Sequence, residues 1–177
     1  MLRVRAGRTG ELGVLFERHH ERLLNYFLRM TGSRPASEDL VQEVFVRMLR
    51  YRDSYRGEGG GFTTWMFSLA RHACIDYLRR SKVRNHAPLP EEEPAGHGPA
   101  VDETVATRES IEVLQRALLL LPPEKREVLI LRRWDFRKFD EIAEILGCPV
   151  GTVKVRAHRA LRELKQIYDG LLIEAST

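Results

Sequence analysis

The sequence predicts an all-α protein built as two small helical domains joined by a flexible linker. Three observations carry this expectation. Apolar residues recur at spacings of three and four along most of the chain, and no stretch shows the period of two that a half-buried strand requires. Residues 81–104 contain Pro88, Pro90, Pro94 and Pro99 with Gly96 and Gly98, almost no large apolar side chain and no period, which is linker composition. Near the C-terminus two short amphipathic segments meet at Gly147-Cys148-Pro149-Val150-Gly151, the pattern of a helix-turn-helix. The domains are therefore expected at 1–80 and 105–177, each near the lower size limit for a stable core.

In the first domain, Leu12, Leu15, Phe16, His19, Leu23, Leu24, Phe27 and Leu28 form one helical stripe that Gly32 ends. Ser37 is expected to cap the next helix, with Glu38 and Asp39 in its first turn. That helix buries Leu40, Val41, Val44, Phe45, Met48 and Leu49 and shows Asp39, Gln42, Glu43, Val46, Arg47 and Arg50 on its other face. Gly57, Gly59, Gly60 and Gly61 then exclude a helix interior. A third helix follows through Arg80, with Trp65, Leu69, Ala73 or Cys74, Tyr77 and Leu78 as its apolar stripe and Arg71, Arg79, Arg80 and Lys82 as cations.

The second domain opens on a helix stopped by Pro122-Pro123, and a further helix spans EKREVLILRRW. Gly147 is expected as the C-terminal cap of the first short helix, and Pro149 cannot continue it. In the last helix Val153, Ala157, Ala160, Leu161 and Leu164 form the expected buried face, so that Lys154, Val155, His158, Arg159 and Arg162 point outward. Arginine pairs bidentately with guanine, and lysine reaches bases or phosphates.

Net charge is only +4, but its distribution is informative. Residues 1–80 hold 14 Arg and no Lys against 9 acids, residues 81–104 carry −3, and residues 105–177 carry +2. Two basic lobes flank an acidic middle, which suits phosphate-backbone binding by the lobes. No apolar run approaches the roughly 20 residues of a membrane helix. Two distant cysteines, Cys74 and Cys148, do not make a disulfide framework, and the N-terminus lacks a signal peptide's apolar stretch. A cytoplasmic protein with no membrane insertion is expected. His19, His20 and Glu21 do not share the i, i+4 geometry of a metal site. The glycine run has no preceding strand and no Lys-Ser/Thr pair, which excludes a nucleotide-binding loop. No nucleophile-base-acid set stands out, so neither a cofactor, a metal nor an enzymatic activity is expected.

Four segments carry a resemblance to a known family. EDLVQEVFVRML and FTTWMFSLARHACIDYLRR in the first domain, with LPPEKREVLILRRW and DEIAEILGCPVGTVKVRAHRAL in the second, resemble the extracytoplasmic-function group of bacterial RNA polymerase sigma factors, from about Leu12 to Leu164. The resemblance implies a sigma region 2 bundle and a sigma region 4 helix-turn-helix. It implies a transcription initiation factor that binds core RNA polymerase, directs it to promoters and promotes melting. It places Asp39, Gln42 and Glu43 against the polymerase clamp. It places Phe62, Arg71, His72, Arg79 and Arg80 at the minus-10 DNA, with Phe62 a wall for a flipped base. It sets Lys154, Val155, His158, Arg159 and Arg162 at the minus-35 DNA. An anti-sigma factor is the further partner it implies. The alternative reading is a free-standing helix-turn-helix regulator with an N-terminal sensory or dimerisation domain. Four departures from the family pattern stand out: Phe136-Arg137-Lys138 where many relatives carry Gly-Leu-Ser, Val155 where Ser is common, His72 where Asn is frequent, and a glycine loop before the His72 helix about one residue longer than in many relatives.

Overall fold

The structure, a computed structural model, describes residues 1–57, 61–84 and 105–175. Those residues form eight α-helices and one short 3-10 turn at Arg52–Ser54, with no strand among them. The helices are α1 (Leu2–Arg5), α2 (Glu11–Thr31), α3 (Arg34–Arg50), α4 (Gly61–Arg84), α5 (Val105–Leu120), α6 (Pro123–Arg133), α7 (Phe139–Leu146) and α8 (Val150–Ala175). Helix α4 continues through the first four residues of the expected linker; residues 85–104, its remainder, lie outside the described residues, as do Glu58, Gly59 and Gly60.

Helix α2 ends where expected. Gly32 takes the left-handed conformation, φ 74°, and its N–H closes on the Leu28 carbonyl. A side chain there would also stand 2.8 Å from Leu119 Cδ1, so Gly32 serves both the turn and a close approach between the lobes. The expected cap at Ser37 is corrected. Helix α3 begins at Arg34, its cap is Ser33, whose Oγ accepts from the Ala36 N–H, and Pro35 lies in the first turn. A first-turn proline loses nothing, because its missing N–H would have had no helical partner. Ser37 is instead buried within the helix and donates to the Ser33 carbonyl at 2.6 Å.

The two lobes pack as one body. Leu23, Phe27, Val44, Met66, Phe67 and Ala70 of the first lobe share a continuous core with Val128, Ile130, Leu131 and Ile142 of the second. A smaller cluster of Ala117, Leu118, Leu121, Leu129, Ala160 and Leu164 ties α5 and α6 to α8. This packing widens the buried face of α4. Met66, Phe67, Ala70, Ala73 and Cys74 are buried, whereas Trp65, Leu69, Tyr77 and Leu78 are half-buried. The expected single stripe is therefore shifted, because α4 contacts α3 on one side and α7 on the other. Cys74 is a core thiol; burial pushes its pKa up to about 12, which leaves it unreactive.

Charged groups cross the interface between the lobes. The Tyr26 hydroxyl donates to Glu127 Oε1 at 2.9 Å, and Arg71 Nε lies 3.4 Å from Glu127 Oε2. Burial pushes the Glu127 carboxyl above the ordinary range, against the pull of Arg71 and Tyr26. Arg22 bonds Asp135, which also accepts from Arg137 at 2.7 Å; Arg137 reaches on to Thr64 Oγ1 at 3.3 Å. The Arg137 and Arg22 guanidinium groups both sit over the Phe67 ring, 4.9 and 5.6 Å from its centroid.

Candidate nucleic-acid interface

The helix-turn-helix is built by its turn. Gly147 is left-handed, Cys148 N–H returns to the Ala143 carbonyl at 3.1 Å, and Pro149 offers its carbonyl to Thr152 and Val153 as α8 begins. Ile142, Ala143, Ile145 and Leu146 of α7 are buried with Val153, Ala160 and Leu164 of α8. Lys154, Val155, His158, Arg159 and Arg162 are all exposed. None of the four basic side chains among them has an ion-pair partner among the described residues, and Glu163 is tied to Lys125. One expected core residue is corrected: Leu161 is 45% exposed. It lies between two shallow grooves, one toward Phe136 and Phe139 and one toward Ile111 and Leu114, which no helix among the described residues fills.

The start of α7 lacks a serine cap, and Glu141 takes over part of its work. Its Oε2 accepts from the Lys138 N–H at 2.9 Å, and that bond holds its carboxyl below the usual range. Arg137 pairs with the other oxygen at 3.0 Å. Phe136 is 82% exposed at φ 52°, a left-handed conformation that costs a residue with a Cβ about 1–2 kcal/mol. Phe136→Gly should therefore raise stability by up to about 1 kcal/mol, once the glycine entropy cost is deducted. That corresponds to roughly 2–4 °C in a thermal melt. An unchanged or lowered midpoint would mean that the ring contributes more than its backbone costs.

On α4 the candidate residues separate. Phe62, Leu69, His72, Asp76 and Arg79 recur at seven, three, four and three and so share one face. His72, Arg79 and Arg80 are exposed. Phe62 is half-buried at the top of this face, in a ring cluster with His19, Tyr55 and Trp65 at centroid distances of 5.2, 6.0 and 6.3 Å. Arg71 lies apart from the face and is turned to Glu127. Burial, helped by the charges of Arg22, Arg18 and Arg137, pushes the His19 pKa down, so this ring stays neutral at physiological pH.

The acidic candidates lie across a groove from two of the basic ones. Asp39, Leu40 and Glu43 of α3 face Asp76, Tyr77, Arg79 and Arg80 of α4 around about 740 Å³ of open space. Glu43 accepts from Arg47 Nε at 2.6 Å, and Arg47 also bonds Asp76 at 3.0 Å. Asp39 and Gln42 are exposed. Sequence reasoning missed the Arg47 bridge and the aromatic surround of Phe62. The i, i+4 pair of Glu43 and Arg47 signalled the first; His19 within an apolar stripe signalled the second.

The description of Sigma-70 region 2 matches residues 15–84, and that of Sigma-70 region 4 matches residues 111–164. RNA polymerase sigma factor YlaC of Bacillus subtilis is 30% identical over 154 residues, covering 86% of this chain and 88% of the relative. ECF RNA polymerase sigma factor SigW of the same organism is 30% identical over 179 residues, with 94% of each chain covered. The chain belongs to the extracytoplasmic-function group of RNA polymerase sigma factors. As a sigma factor it is a transcription initiation factor, and its two lobes are sigma regions 2 and 4. The fold agrees with that of the sigma factor RpoE solved with the anti-sigma factor NepR from Bartonella quintana: TM-score 0.73 at 23% identity, covering 90% of this chain and 97% of that one. No helix among the described residues is long and apolar enough to cross a membrane.

Proposed function

We propose that this sigma factor acts without chemistry of its own, in the cytoplasm, by dividing promoter recognition between two helix faces. The observation that carries this reading is the pair of exposed basic faces, one on each lobe. Lys154, Val155, His158, Arg159 and Arg162 on α8 read duplex minus-35 DNA. Phe62, His72, Arg79 and Arg80 on α4 take the melted minus-10 strand, where stacking and phosphate contacts act together. Arg71 joins them only when it leaves Glu127. Asp39, Gln42 and Glu43 dock on a basic surface of core RNA polymerase.

The packed arrangement of lobes cannot span both DNA elements. At 3.4 Å per base pair, about 25 base pairs cover roughly 85 Å, whereas a compact chain of this length has a radius of gyration near 16 Å. The 20 residues between α4 and α5 reach at most about 70 Å, enough to link separated lobes. The packed form is therefore the form off the promoter. An anti-sigma factor is the partner that would bind this form; the sigma factor RpoE of the similar structure was solved in complex with one, NepR.

The division of labour is tested with two substitutions. Arg159→Ala should cost roughly 1–3 kcal/mol of minus-35 binding and relax preference at one upstream position. His72→Ala should leave minus-35 binding intact and impair melting, and a pre-melted bubble should restore much of the loss, because the unpairing cost has already been met. Permanganate reactivity of thymines near the start site, read beside minus-35 binding, separates the two. Equal damage to both elements from either substitution contradicts the assignment.

A further inference from the structure

We propose that the N-terminal segment Met1–Arg8 is a positioning element for the melted-base pocket, bracing the turn that carries Tyr55 and Gly57 against Phe62. The inference rests on the reading of Phe62 as a pocket wall and adds the residues that set where that wall stands.

Helix α1 has only four residues, far too few to hold together by its own hydrogen bonds. It is held by tertiary contacts. Val4 is fully buried and anchors it. From that anchor two side chains reach the turn before α4. Arg5 Nη1 donates to the Tyr55 carbonyl at 2.7 Å. Tyr55 follows the 3-10 turn in extended backbone, at φ −76° and ψ 113°, so its carbonyl is not part of a continuing helix. Leu2 stands 3.5 Å from the place a Cβ would occupy on Gly57, and Gly57 itself is left-handed at φ 76°. A side chain on residue 57 would be strained by this backbone conformation, and its Cβ would only touch Leu2 at ordinary van der Waals distance; the left-handed φ is what calls for glycine at the braced turn.

The contact passes from backbone to pocket. The Tyr55 ring meets Trp65 at 5.2 Å and stands edge-on to Phe62 at 6.0 Å, and Phe62 packs on His19. The Trp65 indole N–H donates to Ser54 Oγ at 3.3 Å, fixing the other side of the same turn. Arg5 therefore acts on the pocket through Tyr55, as a positioning residue that touches no DNA. A shift of the order of 1 Å in a positioning group can cost about a hundredfold in a reaction that depends on geometry; loosening one of two bracing contacts is expected to cost about tenfold.

The test uses the full chain with core polymerase and three readouts. These are discrimination among the four bases at the extruded position of a single-stranded minus-10 oligonucleotide, open-complex formation on duplex promoter, and binding to minus-35 duplex. Arg5→Ala should lower base discrimination and open-complex formation about tenfold and leave minus-35 binding unchanged. Arg5→Lys, which keeps a donor, should recover part of the loss. Leu2→Ala, at a 54% exposed position whose truncation cannot empty the core, should reproduce the effect in weaker form with an unchanged thermal midpoint. Phe62→Ala is the reference. If it abolishes discrimination while Arg5→Ala and Leu2→Ala preserve it, the brace is refuted and the pocket reading stands. If Phe62→Ala leaves discrimination intact, the reading of Phe62 as a pocket wall falls, and the brace falls with it whatever Arg5→Ala does. Equal loss in all three readouts for Arg5→Ala and Leu2→Ala overturns the brace in favour of a purely structural contact.

Discussion

Arg126→Ala is expected to destabilise the chain by about 3 kcal/mol. The guanidinium is buried and donates to the carbonyls of Met30, Leu119 and Leu121. Met30 lies in the last turn of α2, Leu119 in the last turn of α5, and Leu121 directly follows α5. The last carbonyls of a helix have no intrahelical donor and carry the negative end of its dipole. One cation thus satisfies two helix ends from different lobes, although burial lowers its pKa. Truncation leaves these acceptors without a donor, at about 1–3 kcal/mol each when water cannot replace it. A fall of roughly 6–12 °C in the thermal midpoint corresponds to 3 kcal/mol in a chain of this size. Arg126→Lys should recover only part of it, since a single ammonium cannot present the planar fork. A midpoint within 1–2 °C of the parent's for Arg126→Ala would show that water serves these carbonyls equally well.

Replacing Asp39, Gln42 and Glu43 together by Ala should weaken holoenzyme assembly about a hundredfold, near 2.7 kcal/mol. Asp39 and Glu43 look onto the same groove, and Gln42 is exposed beside them. Charged groups at an interface set both approach and register, so their loss acts on rate and on residence. The fold should survive, because alanine favours helix and none of the three is buried. Arg47 keeps Asp76 when Glu43 is gone. Titration of core polymerase against the variant, with circular dichroism as the control, measures this. Unchanged affinity with an unchanged spectrum would remove these residues from the polymerase contact.

The helices, the glycine caps at Gly32 and Gly147 and the outward basic face of α8 were legible because each follows from local rules: period, left-handed backbone, charge on the face away from the core. What was not legible depends on partners distant in sequence. Arg126, Glu127, Asp135 and Arg137 sit in a run that looks like solvated surface, yet all four are buried. Their burial follows from the packing of α6 and α7 on α2 and α4, which no local pattern encodes. Arg71 reads from sequence as a DNA-facing cation, and its turn toward Glu127 in the packed form depends on the other lobe. The misplaced cap at Ser37 has a local cause. Ser33 and Ser37 are both cap-forming residues, only Ser37 is followed by acids, and Pro35 between them suits the first turn as well as the approach to it. Leu161 was assigned to the core because its spacing fits, but the groove beside it is left open. Helix α1 had no signal at all, since four residues of mixed character make a helix only against a neighbour.

The central claim is that this chain confers promoter-specific initiation on core polymerase through two faces that act together. Run-off transcription with purified bacterial core polymerase, on a library of promoter templates with and without the protein, tests it most directly. Transcripts of defined start should appear only when the protein is added, and should disappear when either the minus-35 or the minus-10 element is scrambled. Tight, sequence-specific operator binding by the protein alone, with no start-specific transcript from any template in the presence of core polymerase, would contradict it and support a free-standing regulator instead.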